Sequence, residues 1–230
     1  MRAVEVEESE HPGVPFLDRL SPADRRDLLA QGRRVRLRTG TTTLIEGQVS
    51  GQVLFLLQGH VRACSTAPDG RESLLAIRRP GDLIGELSAL DGRPHSATVS
   101  AMEAVEAVVV PASSFRTYLR THGDAAFAVL DLITDRLRDS DRKRAEFGSM
   151  DAAGRVAARL AELAEQHGEA TAKGVEIELA LSQEELASWV SASREAVSRA
   201  LRLFRERGWI ATRRRGITVL DLDALRLRAS

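Results

Sequence analysis

Two patterns of hydrophobic and polar residues divide the chain. Between Val35 and Val110, short apolar runs recur at intervals of roughly ten residues, and glycines separate them. From Pro111 onward glycine becomes rare and residues with high helix propensity dominate. Evenly spaced short strands with glycine turns are typical of an all-β sandwich or jelly roll. Together the patterns predict an α+β protein in which a β-rich region precedes a mostly helical one.

The β-rich region has clear borders. Residues 1–15 are acidic and contain two prolines, which predicts a loose leading segment. Ser21 and Pro22 suit the N-cap and the first position of a short helix that ends near Gly32. Turns are predicted at residues 68–70 and 80–82, which read Pro-Asp-Gly and Pro-Gly-Asp. The predicted strands include residues 35–37, 42–45, 53–57, 61–65, 73–77, 97–100 and 104–110.

A long helix is predicted from Asp124 to Phe147, after a short helix near residues 115–120 that Ser113 or Ser114 would cap. Side chains at three- and four-residue steps form a stripe that is apolar in its first half and polar in its second. A helix packed on its own domain and a helix shared by a dimer both fit this pattern. The stripe consists of Leu130, Ile133, Leu137, Ser140, Arg144 and Phe147. A fully charged outer face is predicted for Asp131, Asp135, Arg136, Arg138, Arg142 and Lys143.

The last third of the chain predicts further helices. Asp151 is expected to cap a helix that ends at His167, and residues 168–174 are expected to form a polar loop. Ser182 and Glu185 have the spacing of a capping box, in which each side chain bonds to the other residue's backbone. This capping box marks the start of another helix, with Leu186, Ala187 and Val190 directed inward.

A second helix follows closely after a predicted turn at residues 191–193, and Ser193 can cap it. Apolar runs at residues 209–212 and 217–220 predict a hairpin next to this helix. Two short helices, a tight turn and a following hairpin describe a winged helix-turn-helix. The apolar face of the second helix consists of Val197, Ala200, Leu201 and Phe204.

The net charge of the whole chain does not favour DNA binding, but the charge of one segment does. Lysine and arginine total 33, as do aspartate and glutamate, so the whole chain is neutral. Residues 191–215 nevertheless contain eight arginines and two glutamates, which gives this segment a net charge of +6. A solvated arginine-rich helix is the alternative interpretation, but the capping box, turn and hairpin favour a DNA-binding module.

The composition also excludes several classes of protein. The single cysteine, Cys64, excludes an internal disulfide, a four-cysteine zinc site and a cysteine-ligated iron–sulfur cluster. No apolar stretch approaches the ~20 residues of a membrane span, and residues 1–10 lack the apolar region of a signal peptide. We therefore expect a cytoplasmic protein that makes no contact with membranes.

Several segments resemble one family. The segment SASREAVSRAL with its following hairpin, and PGDLIGELSAL at residues 80–90, are similar to the cyclic-AMP receptor / fumarate–nitrate regulator (Crp/Fnr) family of bacterial transcription regulators. The resemblance extends from Phe16 to Leu222. It implies a double-stranded β-roll at residues 16–123, a jelly roll like those that bind cyclic nucleotides. A dimerisation helix at residues 124–147 and a winged helix-turn-helix at residues 150–230 follow.

The resemblance implies a homodimeric, sequence-specific regulator and not an enzyme. Its partners would be palindromic double-stranded DNA with TGTGA-like half-sites, and RNA polymerase. Arg194, Glu195 and Arg199 match the positions that read base edges in relatives of the cyclic-AMP receptor. Arginine can bond bidentately to guanine, and glutamate can accept from cytosine. The further DNA-contact candidates are Ser182, Ser193, Ala196, Ser198, Arg202, Arg213 and Arg214.

For the effector, the resemblance implies cyclic AMP or another cyclic nucleotide. Gly85, Glu86 and Leu87 match one half of the family's nucleotide site, in which glutamate binds the ribose. His95 stands where the family's phosphate-binding arginine is usual, and a neutral imidazole lacks that charge and fork. Judged from the sequence alone, the His95 imidazole would have a pKa near ~6.5. The cavity would then have no permanent positive charge. The other effector-site candidates are Arg93, Ser96, Ala97, Ser140 and Asp141.

Three alternatives remain open at this point. The effector could be a different anion, or the protein could regulate without a ligand through a degenerate pocket. A cupin-like metal enzyme fused to a helix-turn-helix is the third. That enzyme would need two histidines one residue apart, and the sequence contains no such pair, so neither a metal nor a catalytic site is predicted.

Overall fold

The computed structural model describes residues 13–179, 181–213 and 216–229. Its N-terminal half is a β-roll of two four-stranded antiparallel sheets. A 3-10 helix (Phe16–Arg19) and α1 (Pro22–Ala30) precede it. The strands are β1 (Arg33–Leu37), β2 (Thr42–Leu44), β3 (Gln52–Gln58), β4 (Val61–Thr66), β5 (Glu72–Arg78), β6 (Leu83–Ile84), β7 (Thr98–Ala101) and β8 (Val105–Pro111).

One sheet has the strand order β1-β8-β3-β6 and the other β2-β7-β4-β5. Leu54, Leu56 and Val99 are buried in the apolar cluster that the two sheets share. Strand β3 is also buried on its other face, where Phe55 stacks with Phe16 and meets Phe115 edge-on. This second layer explains why β3 is apolar along most of its length and does not alternate.

Helices follow at the predicted positions with different borders, and two further helices, at residues 86–91 and 222–228, were not predicted. They are α2 (Glu86–Asp91), α3 (Ala112–Thr121), α4 (Gly123–Ser149), α5 (Ala152–His167), α6 (Gln183–Trp189), α7 (Arg194–Glu206) and α8 (Leu222–Arg228). The expected cap at Ser113 or Ser114 is wrong, because α3 begins at Ala112 and Pro111 occupies its N-cap without a side-chain hydrogen bond. None of the described helices is long and apolar enough to cross a membrane.

The C-terminal half contains a third sheet that corrects one prediction. Residues 168–174 do not form a polar loop. They contribute to a hairpin of β9 (Gly168–Thr171) and β10 (Gly174–Ile177). The hairpin pairs with the wing, β11 (Ile210–Arg213) and β12 (Gly216–Val219), in the order β11-β12-β10-β9. A Cβ atom at Gly174 would lie 2.2 Å from the Val219 carbonyl oxygen, so glycine here permits the close pairing of the strands.

Helix α4 departs most from expectation. Its predicted outer charged face is not all solvent-exposed. Asp135 pairs with Arg19 at 2.7 Å, and Arg136 donates to Glu86 at 2.6 Å and to the Leu83 carbonyl at 2.8 Å. Ala125, Ala128, Val129 and Leu132 pack in the apolar core, but a second set of apolar residues on the helix is left uncovered. Its exposed large side chains are Phe127, Leu130, Leu137 and Phe147.

Buried ion pairs join α4 to the C-terminal half. Arg159 of α5 is only 2% exposed, and it pairs with Glu146 of α4 at 2.6 Å and with Glu162 at 2.5 Å. Lys143 of α4 also pairs with Glu162, at 3.0 Å. Because all four side chains are largely buried, removing the arginine would leave two carboxylates without their main cation.

We predict that Arg159→Met lowers the free energy of unfolding by ~3–5 kcal/mol, because it removes the cation that pairs with the buried carboxylates of Glu146 and Glu162. The matched control is Arg226→Met, which breaks an exposed pair between Arg226 and Glu165 and should cost at most ~1 kcal/mol. Urea unfolding followed by circular dichroism measures both variants. Equal losses in the two variants would contradict the role of the buried cluster.

Candidate functional site

The first helix of the helix-turn-helix, α6, is built as predicted. The Ser182 hydroxyl accepts from the Glu185 backbone at 3.1 Å, and the Glu185 carboxylate accepts from the Ser182 backbone at 2.8 Å. Leu186, Ala187 and Val190 are all buried. The capping box therefore fixes the start of α6 and leaves its apolar face packed inward.

The turn after α6 carries local backbone strain. Ser191 has φ +47°, and no other non-glycine residue among those described has a positive φ. This conformation costs an L-residue ~1 kcal/mol. Arg155 of α5 braces the turn by donating to the Val190 carbonyl at 2.8 Å and to the Ser191 carbonyl at 3.3 Å. Its guanidinium also stacks over the ring of Phe147, 5.4 Å from the centroid.

Helix α7 has one buried and one exposed face. Ser193 caps it by accepting from the Ala196 backbone at 3.2 Å. Val197, Ala200, Leu201 and Phe204 are buried, as predicted. Ala196 is partly buried, and the other predicted contacts on this helix are exposed: Arg194, Glu195, Ser198, Arg199 and Arg202.

The exposed cations of α7 differ in their partners. Arg202 pairs with Glu206 at 2.8 Å. Within the described part of the chain, Arg194 and Arg199 make no hydrogen bond or ion pair, although both charges help to lower the pKa of the Glu195 carboxyl. The largest cause of that lowered pKa is a hydrogen bond to the backbone of Glu195 itself, followed by one to Ser193. Arg194 and Arg199 are thus available for base or phosphate contacts.

The wing gives less support to the predicted contacts. Arg213 pairs with Glu176 and Glu178, both at 2.8 Å, so carboxylates of the neighbouring segment largely neutralise it. Arg214 lies outside the described residues. Ser182, another predicted contact, already uses its hydroxyl within the capping box.

The back of the helix-turn-helix is docked on the β-roll. Arg62 of β4 pairs with Glu185 of α6 at 2.5 Å, and the Leu74 backbone of β5 donates to the Ser188 hydroxyl at 2.8 Å. Leu74 also belongs to the same apolar cluster as Trp189. The sequence reasoning missed these contacts, because no pattern along the chain relates β4 or β5 to a helix more than a hundred residues later.

A cavity of about 170 Å³ lies inside the β-roll, close to this docking surface. Gly85 contributes to its wall with φ +84°, and a Cβ atom there would meet the Gln52 carbonyl oxygen at 3.1 Å. Glycine is therefore required at the start of α2. The cavity brings together most of the predicted effector residues, namely Gly85, Glu86, Leu87, His95, Ser96 and Ala97.

His95 is held more tightly than the sequence suggests. Its side chain is 6% exposed and its Nε2 atom lies 2.7 Å from the Ser50 hydroxyl. Burial lowers the pKa of the imidazole below its ordinary value, and the nearby Glu86 carboxylate opposes this effect only in part. The expectation of an unshifted pKa near ~6.5 is therefore wrong, because the ring is buried.

The expectation that the cavity lacks permanent positive charge is also wrong. Both Arg78 and Arg136 line it. Glu86, predicted to bind the effector, is 5% exposed, and its carboxylate accepts from Arg136. The sequence reasoning missed Arg78 because it is the last residue of a strand, where an exposed cation is common.

Three predicted effector residues lie outside this cavity. Arg93 is on the surface, with a side chain 84% exposed. Ser140 lines a neighbouring cleft of about 420 Å³ between β5, α4 and α6. Asp141 is exposed and lies 3.5 Å from Arg144. Arg93 thus cannot replace the missing phosphate arginine in this conformation.

Comparison with known proteins matches the two regions of the chain that contain these candidate sites. The family model described as a Crp-like helix-turn-helix domain matches residues 154–228. The model of the cyclic nucleotide-binding domain matches residues 34–122. A CRP-like cAMP-activated global transcriptional regulator of Mycobacterium tuberculosis (strain H37Rv) is 33% identical over 190 residues, which cover 83% of this chain and 85% of the relative.

The chain belongs to the Crp/Fnr family. It is a DNA-binding transcription regulator with a helix-turn-helix and a cyclic-nucleotide-binding-like domain. This membership does not favour the cupin-like enzyme.

Other relatives agree with this assignment. Vfr, the cAMP-activated global transcriptional regulator of Pseudomonas aeruginosa, is 28% identical and covers 80% of this chain and 87% of its own. The structure of a CRP-family transcriptional regulator from Thermus thermophilus has a TM-score of 0.71 at 28% identity and covers 85% of this chain and 96% of its own. FixK2 from Bradyrhizobium japonicum has a TM-score of 0.77 at 22% identity, covering 86% and 98%, and supports the fold alone.

We predict that the His95 ring titrates below ~6.5, the value of an unburied histidine, because the protonated form is disfavoured in its buried site. Since the unfolded chain then binds the proton more readily, His95 contributes stability that is lost as the pH falls through ~6.5. An NMR pH titration of the ring protons, assigned with His95→Gln, measures the midpoint. A midpoint at or above ~6.5 would contradict the buried, neutral imidazole.

Proposed function

We propose that this regulator acts as a homodimer, reads a palindromic DNA site with α7 and is controlled by a small effector in the β-roll cavity. The observation that carries the DNA-binding surface is the exposed face of α7, on which Arg194 and Arg199 have no bonding partner among the described residues. The proposed divisions are a β-roll at residues 16–123, a dimerisation helix at 124–147 and a winged helix-turn-helix at 150–230.

Helix α7 has the properties of a recognition helix. Its first turn projects from the capped N-terminus, so Arg194 and Glu195 would enter the major groove first. Arg199 would bond bidentately to guanine O6 and N7, while Glu195 would accept from cytosine N4. Ser193, Ser198 and Arg202 would position the helix on neighbouring phosphates or bases. Control of transcription through RNA polymerase, and TGTGA-like half-sites, remain predictions.

We expect Arg199→Ala to lose ~1–3 kcal/mol of binding free energy on a site with guanine at the contacted position, and to lose the preference for that base. Arg214→Ala, at the predicted wing tip, is the matched comparison and should weaken binding to all sequences alike. Selection from a randomised DNA library, followed by fluorescence anisotropy, measures both effects. A preserved base preference in Arg199→Ala would contradict the proposed readout.

The uncovered side of α4 supports the homodimer. Phe127, Leu130 and Leu137 are between 58% and 67% exposed, and apolar side chains clustered in this way usually mark an interface. Leu130 also borders an apolar groove of about 360 Å³ between α3 and α4. Two parallel copies of α4 packed along this stripe would present two α7 helices to half-sites about one DNA turn (~34 Å) apart.

Leu137→Asp should therefore give monomers, because it places a carboxylate in the proposed apolar seam. Val49→Asp is the control, since Val49 is 58% exposed but lies in the loop between β2 and β3, outside α4. Sedimentation equilibrium of the wild type and both variants gives the oligomeric state. A Leu137→Asp variant that stays dimeric would rule out this helix as the interface.

Effector control has two candidate forms. The names of the Mycobacterium tuberculosis and Pseudomonas aeruginosa relatives call them cAMP-activated, which makes a cyclic nucleotide the first candidate. Regulation without a ligand is the second, and it is favoured by the Arg136–Glu86 pair, since this pair occupies the carboxylate that would bind a ribose. A DNA affinity that changes when a ligand binds separates the first from the second.

A further inference from the structure

Arg78 is a cation to which the described residues offer no bonded partner. It is the last residue of β5 and lines both the β-roll cavity and the cleft that reaches α6. Among the described residues its side chain makes no hydrogen bond, ion pair or ring contact, although it is only partly exposed to solvent. A desolvated guanidinium normally has an anion or several acceptors beside it.

A second free donor lies next to it. Arg136 of α4 uses its terminal nitrogens to bind Glu86 and the Leu83 carbonyl, but its Nε atom is buried and lacks a hydrogen-bond partner. Arg78 and Arg136 line the same cavities, and their charges repel. Two arginines with unused donors therefore line the same cavities.

The surrounding carboxylates do not fully neutralise the positive charge of Arg78 and Arg136. Burial, followed by the charge of Arg136, lowers the pKa of Arg78 to about 10, and Asp82, Glu86 and Asp139 oppose these effects only in part. Each of these carboxylates already has a partner of its own. Asp82 accepts from the Arg79 backbone, Glu86 from Arg136, and Asp139 from Lys143.

The remaining wall and the volume of the cavity indicate what size and polarity of ligand it can hold. Apart from the two arginines, much of its wall is apolar and includes Leu44, Ile84 and Val99. At about 170 Å³ the cavity is smaller than the ~300–1,000 Å³ that drug-sized ligands fill. Such a space suits a small molecule with one charged end.

We propose that the effector is a small organic anion whose phosphate or carboxylate group is held between the Arg78 guanidinium and Nε of Arg136, and not beside His95. This inference rests on the proposed effector control and names the chemistry of its ligand. An anion at this point would supply the acceptor that Arg78 and Nε of Arg136 lack, and its position in the wall shared with the cleft would bring it near α6.

The test compares Arg78→Met with Arg93→Met, because Arg93 is an exposed arginine of the same domain. Isothermal titration calorimetry uses three probes, namely inorganic phosphate, hexanoate and cyclic AMP, which separate a free phosphate, a carboxylate and a nucleotide as the source of the charge. For at least one probe we expect saturable binding to the wild type and to Arg93→Met, about tenfold or more weaker binding to Arg78→Met, and an intermediate value for Arg78→Lys.

Thermal unfolding without any probe separates a binding role from a structural one. Removing an unpaired, partly buried charge should leave the melting temperature of Arg78→Met equal to or above that of the wild type. A lower melting temperature with unchanged probe binding would show that Arg78 is structural. Absence of saturable binding of all three probes to the wild type, or full affinity in Arg78→Met, would overturn the anion site.

DNA affinity is measured by anisotropy with and without the bound probe. This measurement distinguishes the proposal of effector control from the proposal of the anion site. If the probe binds through Arg78 and changes DNA affinity in the wild type but not in Arg78→Met, both proposals are supported. If the probe binds through Arg78 without changing DNA affinity, the anion site stands and effector control fails. If DNA affinity responds to a probe equally in Arg78→Met, effector control stands and the anion site fails.

Discussion

Ion pairs along one side of α4 hold the two halves of the protein together. Arg136 and Asp135 bind the β-roll through Glu86 and Arg19, while Glu146 and Lys143 bind α5 through Arg159 and Glu162. Apart from these polar contacts, Ala125, Ala128, Val129 and Leu132 of the helix pack in the apolar core beside the β-roll, so that only some of its apolar side chains are left uncovered. The same helix can therefore attach to both halves and still offer an uncovered apolar stripe to a second copy.

This arrangement places the cavity close to the DNA-binding half. Arg78 and Arg136 form part of the wall between the β-roll cavity and the cleft, and Ser188 and Trp189 of α6 line that cleft. The back of α6 contacts β4 and β5 through Glu185 and Ser188. A change of charge at the wall thus acts on strands that the helix-turn-helix already touches, and no long relay is needed.

Local patterns predicted much of the fold and of the DNA-binding surface. The caps at Ser182 and Ser193 depend on residues three positions away, so the sequence alone could reveal them. The buried face of α7 follows from its helical period. The hairpin at residues 168–177 was missed although its two strands are adjacent, because the segment is mostly polar and its further partner, β12, lies some forty residues along the chain.

The effector site could be predicted only in part. The motif at residues 85–87 identified the cavity, but its charge depends on Arg78, Arg136 and Glu86, which come from separate elements. The sequence also indicated His95 as a residue of this site, and His95 lines the cavity. It could not show that the ring contacts Ser50 or that burial lowers the pKa of the imidazole, because both arise from tertiary packing.

The brace between Arg155 and the turn at Ser191 has a mechanical consequence. Arg155 stacks on Phe147 near the end of α4 and bonds to the carbonyls of Val190 and Ser191, so the end of the long helix and the start of the recognition helix are tied together. Helix α4 has 27 residues and is therefore about 40 Å long. A small tilt of such a long helix at one end moves its other end by several ångströms. A tilt of about 5° at the β-roll end would displace the far end by about 3.5 Å, roughly the rise of one base pair, enough to bring a recognition helix into or out of register with its half-site.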